Sequence, residues 1–257
     1  MRDFTIAIYK DLLQAIKEND YRFSPFSGFI SGSGNAKTIV LKHDVDARKQ
    51  NSLYFAEIQH KLGIRSTYYF RVVPQSFDGK TILKIASYGH EIGYHYETLA
   101  DNKGNYEKAW DEFCRNLEKF RKLVPVNTIC MHGSPMSKFD NRLLWEKYDY
   151  KKLGIIADPF FDLDVNKVFY LTDTGRMWDG ESVSVRDKVA GRVTNPDFLR
   201  KKYHSTSGII EAVRSGNFPD IVMMNFHPQR WTDDPALWAK ENIFQAFKNT
   251  VKRLFYI

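Results

Sequence analysis

Short apolar runs alternate with amphipathic helical patterns along most of this chain, and several of the runs end in clusters of acids and histidines. Thr38 to Leu41, Thr67 to Val72, Glu91 to His95, Thr128 to His132, Gly154 to Ala157, Val168 to Leu171 and Ile221 to Phe226 read as strands. Helical spacing appears around Ser52 to Leu62, Ile82 to Ser87 and Tyr106 to Leu123, and in a closing helix from Pro235 to Phe255. A strand must bury its apolar side chains and a parallel neighbour needs a crossover, so this alternation builds βαβ units. The expected fold class is α/β, a distorted (β/α) barrel of mostly parallel strands with the active site at the C-terminal strand ends.

Ahead of the first barrel strand, Thr5 to Ile16 carries apolar residues at helical spacing, and Ser31-Gly32-Ser33-Gly34-Asn35 reads as a turn. Residues 1–35 are therefore expected to form an N-terminal helix and turn packed on the barrel. With no internal repeat or linker-like tract, 1–257 is expected to be a single domain.

Hydrophobic residues make up 43% and charged residues 27%, ordinary values for a globular chain, which exclude disorder and fibres but say nothing of chemistry. The net charge of +7 favours anionic partners, among them acidic glycans, phosphate-linked substrates and membrane surfaces. Its Lys and Arg residues are scattered, so a dedicated nucleic-acid site is not expected. Cys114 and Cys130 show no Cys-x-x-Cys pairing and are expected to be reduced and buried. No signal-peptide pattern or transmembrane-length apolar run is evident, so the expected location is cytoplasmic.

Chemistry concentrates at the strand ends. In His43-Asp44-Val45-Asp46 the period of two puts both carboxylates on one face and turns His43 to the other, toward packing. Two neighbouring carboxylates repel unless one binds a cation and the other serves as a base. His95 and Glu97 share the same spacing, and imidazole and carboxylate are both zinc ligands. His132 and His227 each follow an apolar run, where an imidazole can donate a proton to a leaving amine. His90, one residue into its strand, is assigned to structure. Arg71, Arg176, Trp178 and Trp231 are candidate substrate contacts, since guanidinium pairs with anionic groups and indole covers a sugar face.

Taken together, residues from about Thr38 to Trp231 resemble the polysaccharide deacetylases of carbohydrate esterase family four, which have the NodB-homology fold. Asp44-Val45-Asp46 is similar to that family's first motif, and Gly89-His90-Glu91-Ile92-Gly93-Tyr94-His95 to its second; Asn225-Phe226-His227-Pro228 matches its last. The resemblance implies that Asp44 is the base, Asp46 and His95 are metal ligands, and His227 is the general acid. The family's next ligand falls at Leu99, leaving Glu97 as first choice for the third ligand and His132 as second. His132-Gly133-Ser134-Pro135 stands where the family has Arg-x-Pro. The activity implied is hydrolysis of a carbon–nitrogen bond other than a peptide bond. It removes N-acetyl or N-formyl from an amino sugar of a polysaccharide or its precursor, with a divalent metal, Zn²⁺ first, as cofactor. The departures suggest a branch serving surface-polysaccharide or O-antigen assembly, with an anionic or lipid-linked substrate. Two other readings stay open: a hydrolase of a non-sugar C–N bond in a small metabolite, and a non-catalytic glycan-binding module.

Overall fold

A single parallel sheet organises the computed structural model, which describes residues 2–33, 36–134, 137–178 and 192–255. Its strands are β1 (Arg22–Ser24), β2 (Thr38–Val45), β3 (Thr67–Phe70), β4 (Glu91–Tyr96), β5 (Ile129–Met131), β6 (Phe169–Thr172) and β7 (Ile221–Phe226). They run in the order β5-β4-β3-β2-β7-β6, while β1 pairs with the first residues of β2. The sheet curls into a half barrel with helices around it, the distorted (β/α) architecture expected. The principal helices are α1 (Ile6–Glu18), α2 (Lys49–Lys61), α3 (Gly79–Ser87), α4 (Tyr106–Arg121), α5 (Thr206–Arg214) and α6 (Pro235–Phe255). Side-chain oxygens of Thr5, Asp78, Asn105 and Ser205 cap α1, α3, α4 and α5, accepting from backbone N–H groups of the first turn. Among the described residues no helix is long and apolar enough to cross a membrane.

The sheet has two unlike faces, and this decides where the site lies. On the helix side, Ile39, Leu41, Tyr68, Phe70, Met224 and Phe226 join the large core with α1 and its neighbours. The inner face is narrower: Val40, Tyr69, Cys130 and Met223 pack with Ala157, Leu163, Val165 and Val168. Gly93 is required there, because a Cβ at this position would stand 2.3 Å from the Tyr69 ring and 3.0 Å from the Thr128 carbonyl. The N-terminal end of the same face is closed by Glu91, which accepts hydrogen bonds from Thr67, Thr128 and the Ser27 N–H. Only the C-terminal end is left for polar groups to meet a ligand.

Several element boundaries differ from the sequence reading. The strand from Thr67 stops at Phe70 rather than Val72, because Ser76 accepts the Arg71 N–H and donates to the Val45 carbonyl. Gly154 to Ala157 is not a strand: Gly154 sits at φ 73° after a short turn, and only Ala157 bridges, to Thr128. Strand β1 and helix α5 were not anticipated, being a three-residue edge and a nine-residue helix. Cys130 is buried but Cys114 is only half-buried, and neither forms a disulfide. Of the turn before β2, Gly34 and Asn35 lie outside the described residues, as does Pro135 of the later His-Gly-Ser-Pro stretch.

Candidate active site

Period-two alternation puts Lys42 and Asp44 on the inner face of β2, and parallel pairing sets Asn225 of β7 opposite Lys42. Asp44 Oδ2 accepts from Lys42 Nζ at 2.8 Å and from Asn225 Nδ2 at 2.8 Å. Both partners of the Lys42–Asp44 ion pair are almost wholly buried. Burial alone would raise the Asp44 carboxyl, but Lys42, His95 and His227 together bring it below the ordinary carboxylate range. Asp44 is thus held ionised with its other oxygen, Oδ1, buried and without a hydrogen-bond partner. His43 points to the opposite face, as alternation requires. Its Nδ1–H donates to the Thr67 carbonyl, its Nε2 accepts from Gln59, and burial lowers its pKa to about 3. It is a neutral core imidazole. His90 is likewise structural, donating to the Ala56 carbonyl and accepting from the Ser66 N–H.

Asp46, His95 and His132 each offer one ligand atom, all within 4.8 Å of one another. His95 extends from β4 and donates Nδ1–H to the Cys130 carbonyl at 2.9 Å, which leaves the Nε2 lone pair facing Asp46 Oδ1 at 3.5 Å. His132 follows β5 and gives Nδ1–H to Glu97 Oε2 at 2.7 Å, leaving Nε2 at 3.6 Å from the same Asp46 oxygen. Ligand atoms about 2.1 Å from a tetrahedral ion stand about 3.4 Å apart, so these spacings suit a common cation. The donor chemistry agrees. Asp46 Oδ1 is buried and lacks a hydrogen-bond partner, as do the acceptors Asp44 Oδ1, Asn225 Oδ1 and Gln229 Oε1 around it. A buried excess of acceptors beside two imidazole lone pairs is what a cation satisfies. Asp44, His95 and Cys130 form a second candidate set, but it shares His95, and burial raises the Cys130 thiol pKa. The set around Asp46 fits better.

The ranking of the third ligand is therefore corrected. Glu97 is not in either ligand set, because both of its oxygens are engaged. Oε1 accepts from Arg71 Nε at 2.7 Å and pairs with Nη2 at 2.6 Å, and Oε2 accepts from His132. Burial would raise the Glu97 carboxyl, yet His132 and Arg71 bring it to about 2. Burial also opposes charge on His132, but Glu97 and Asp46 outweigh it and raise that imidazole's pKa. Glu97 fixes the ring of His132; His132 is the residue whose lone pair reaches the site.

His227, one residue past β7, brings Nε2 to 4.0 Å from Asp44 Oδ2 and 3.9 Å from Asp46 Oδ2. Its orientation comes from Asp173, just past β6, which accepts the His227 Nδ1–H at 2.5 Å and its backbone N–H at 2.9 Å. Arg230 and Trp231 also donate to Asp173. Burial would raise that carboxyl, but His227 and then Arg230 lower it.

The four expected substrate contacts fare differently. Arg71 lies at the rim, partly exposed and committed to Glu97. Arg176 is buried between the rings of Phe4 and Trp238 and donates to the Trp238 carbonyl, away from an open surface. Trp231 is completely buried among Phe4, Tyr9, Phe55 and Phe226, so it has no free face for a sugar; its indole N–H holds Asp173 instead. Trp178 is also buried, donating to Thr206 and packing on Phe4 and Phe226. Both tryptophans are core, which corrects the sequence reading. Lys42 and Asp173 were missed as site residues. The alternation applied to Asp44 and Asp46 extends back to Lys42, and Asp173 follows a strand end like the other site residues.

No family model matches the chain, and no curated protein matches it. Among solved structures it is similar to a family 4 carbohydrate esterase from Bacillus anthracis (14% identity, 97% of this chain and 90% of that one, TM-score 0.43). It is also similar to a Streptococcus mutans CE4 esterase (13%, 92% and 90%, TM-score 0.45). A third is a CE4 family pseudoenzyme from Bacillus anthracis (12%, 86% and 63%, TM-score 0.40).

Proposed function

We propose that this chain is a divalent-metal-dependent hydrolase that removes an N-acyl group, acetyl or formyl, from an amino sugar of a polysaccharide or its precursor. The observation that carries the hydrolytic reading is the convergence of three ligand atoms on Asp46, His95 and His132 with Asp44 and His227 beside them. Two imidazoles and one carboxylate are a donor set suited to Zn²⁺. When bound, the cation supplies Lewis acidity, polarising an acyl carbonyl and acidifying water.

The chain's own residues supply the proton transfers. Lys42 and Asn225 hold Asp44 ionised and fix Oδ2, leaving Oδ1 to accept a proton from the attacking water. His227 keeps its Nδ1–H on Asp173, so Nε2 faces the reacting atoms, and the Asp173 carboxylate stabilises the imidazolium that gives a proton to the departing amine. Glu97 and Cys130 lock the tautomers of His132 and His95, so that each presents Nε2. The sugar and the acyl group rest on the motif resemblance rather than on this geometry. The precursor is anionic or lipid-linked in this reading, in keeping with the net charge of +7.

The test is metal analysis of protein purified without chelator, with acetate, formate and ammonia assayed on N-acetylated and N-formylated amino sugars. Stoichiometric metal, activity lost to chelator and restored by Zn²⁺, Co²⁺ or Mn²⁺, and an Asp44→Asn variant that keeps metal but not turnover are expected. No bound metal and no activity on adding these ions would sink the proposal.

A further inference from the structure

Helix α6 is amphipathic the wrong way round. Its inward stripe, spaced by four residues, is polar: Glu241, Gln245 and Asn249 are all buried. Hydrogen bonds fix this orientation. Asn249 donates to the Gly175 carbonyl at 2.9 Å, the Trp238 carbonyl accepts from Arg176 at 3.0 Å, and Glu241 pairs with Arg48 at 3.4 Å. The outward side therefore carries Phe244 and the two most exposed large apolar side chains of the described residues, Ile243 at 72% and Phe247 at 68%. Three such groups within five residues on one side of a helix form a patch rather than scattered exposure.

Charge decides what covers it. Lys240 lies within this face, three residues from Ile243 and seven from Phe247, and Lys248 borders it with its ammonium 4.2 Å from the Phe244 ring centre. Glu241 is the only acid between 235 and 251, and it points inward. A second copy of the same face would bring the helix's lysines against one another with no acid of α6 between 235 and 251, other than the inward Glu241, to oppose them. An anionic lipid surface accepts both features at once, apolar side chains below the head groups and ammonium groups among them.

We infer that α6 lies in the plane of an anionic membrane surface and docks the protein there through Ile243, Phe244, Phe247 and Lys240. The same helix is anchored to Gly175, Arg176 and Arg48, and Arg48 donates to the Gln229 carbonyl, beside the side chain that donates to Asp46. The inference does not depend on the hydrolase reading, and its test does not read activity.

The full chain is mixed with phosphatidylcholine vesicles with and without phosphatidylglycerol, and the bound fraction is read by flotation, with oligomeric state followed by size exclusion. Binding to the phosphatidylglycerol vesicles alone, weakened by salt, is expected. Ile243→Asn with Phe247→Asn should weaken it about tenfold or more, and Lys240→Glu about thirtyfold. These side chains are exposed, so the variants should keep the wild-type melting temperature; Lys240→Glu alone decides the matter if the double variant does not. Absence of binding to anionic vesicles, or binding unchanged by the substitutions, overturns the inference. So does a wild-type dimer that the double variant dissociates, which would assign the face to a second copy.

Discussion

Replacing Glu97 by Gln separates two roles that a carboxylate beside a histidine can play. In the structure Glu97 takes Arg71 on one oxygen and His132 on the other, at 2.6–2.7 Å, so under the proposed function it would act on a bound cation only through the His132 ring. Gln keeps the volume and one acceptor but loses the charge. Loss of such an outer partner typically weakens metal binding 10–100-fold, about 1.4–2.7 kcal/mol. An independent route gives a similar figure. A hydrogen bond to a charged group contributes about 1.5–3 kcal/mol, and with the single amide oxygen kept by Arg71 the one to His132 faces an amide NH2 and is lost. His132→Gln would remove a proposed direct ligand. Sharing roughly 10–16 kcal/mol of zinc binding among four ligands assigns about 3 kcal/mol to each, a loss of at least a hundredfold. Zinc affinity is measured by competition with a chromophoric chelator at neutral pH, and the melting temperature in chelator reports whether each variant is folded. Equal losses for the two variants would make Glu97 a ligand in its own right. An unchanged affinity in Glu97→Gln would show that the carboxylate does not hold the ring.

Three further outcomes follow from other parts of the structure. Asp173→Asn should leave zinc affinity unchanged while lowering turnover about 10²–10⁴-fold, because it removes the charge that stabilises the His227 imidazolium; a loss under tenfold would refute that role. Gly93→Ala drives a Cβ into the Tyr69 ring and should cost about 1–3 kcal/mol, read as a melting temperature lower by several degrees; an unchanged value would mean that Tyr69 yields freely. Burial raises the Asp158 carboxyl from 3.8 to about 7, against the hydrogen bonds from Phe160 and Tyr96. Between those values the folded protein holds a proton that the unfolded chain has released, so this group's contribution to stability falls as pH rises through that window. The difference in melting temperature between about pH 5 and about pH 8 should shrink in Asp158→Asn; an unchanged difference would locate the pH dependence elsewhere.

What the sequence makes legible here is whatever follows from periodicity within one element. The same-face placement of Asp44 and Asp46 and the inward turn of His43 need only the alternation of a strand. Gathering of Asp44, His95, His132 and His227 needs only the rule that parallel strands present their C-terminal ends together. The choice between Glu97 and His132 needs more, because a ligand is the residue whose lone pair is left over after its neighbours have taken theirs. Arg71, just past the end of a different strand, consumes one Glu97 oxygen, and no local pattern announces that. Trp178 and Trp231 have the composition of sugar contacts, but Phe4 and the N-terminal helix cover them, a contact between segments more than 170 residues apart. Helix α6 makes the same point in reverse. Its bounds follow from spacing, yet spacing gives two faces without saying which one turns inward. Hydrogen bonds to Gly175 and Arg176, and an ion pair with Arg48, make that choice in favour of the polar stripe. The cost of leaving Ile243 and Phe247 in water is recovered only if something apolar meets them.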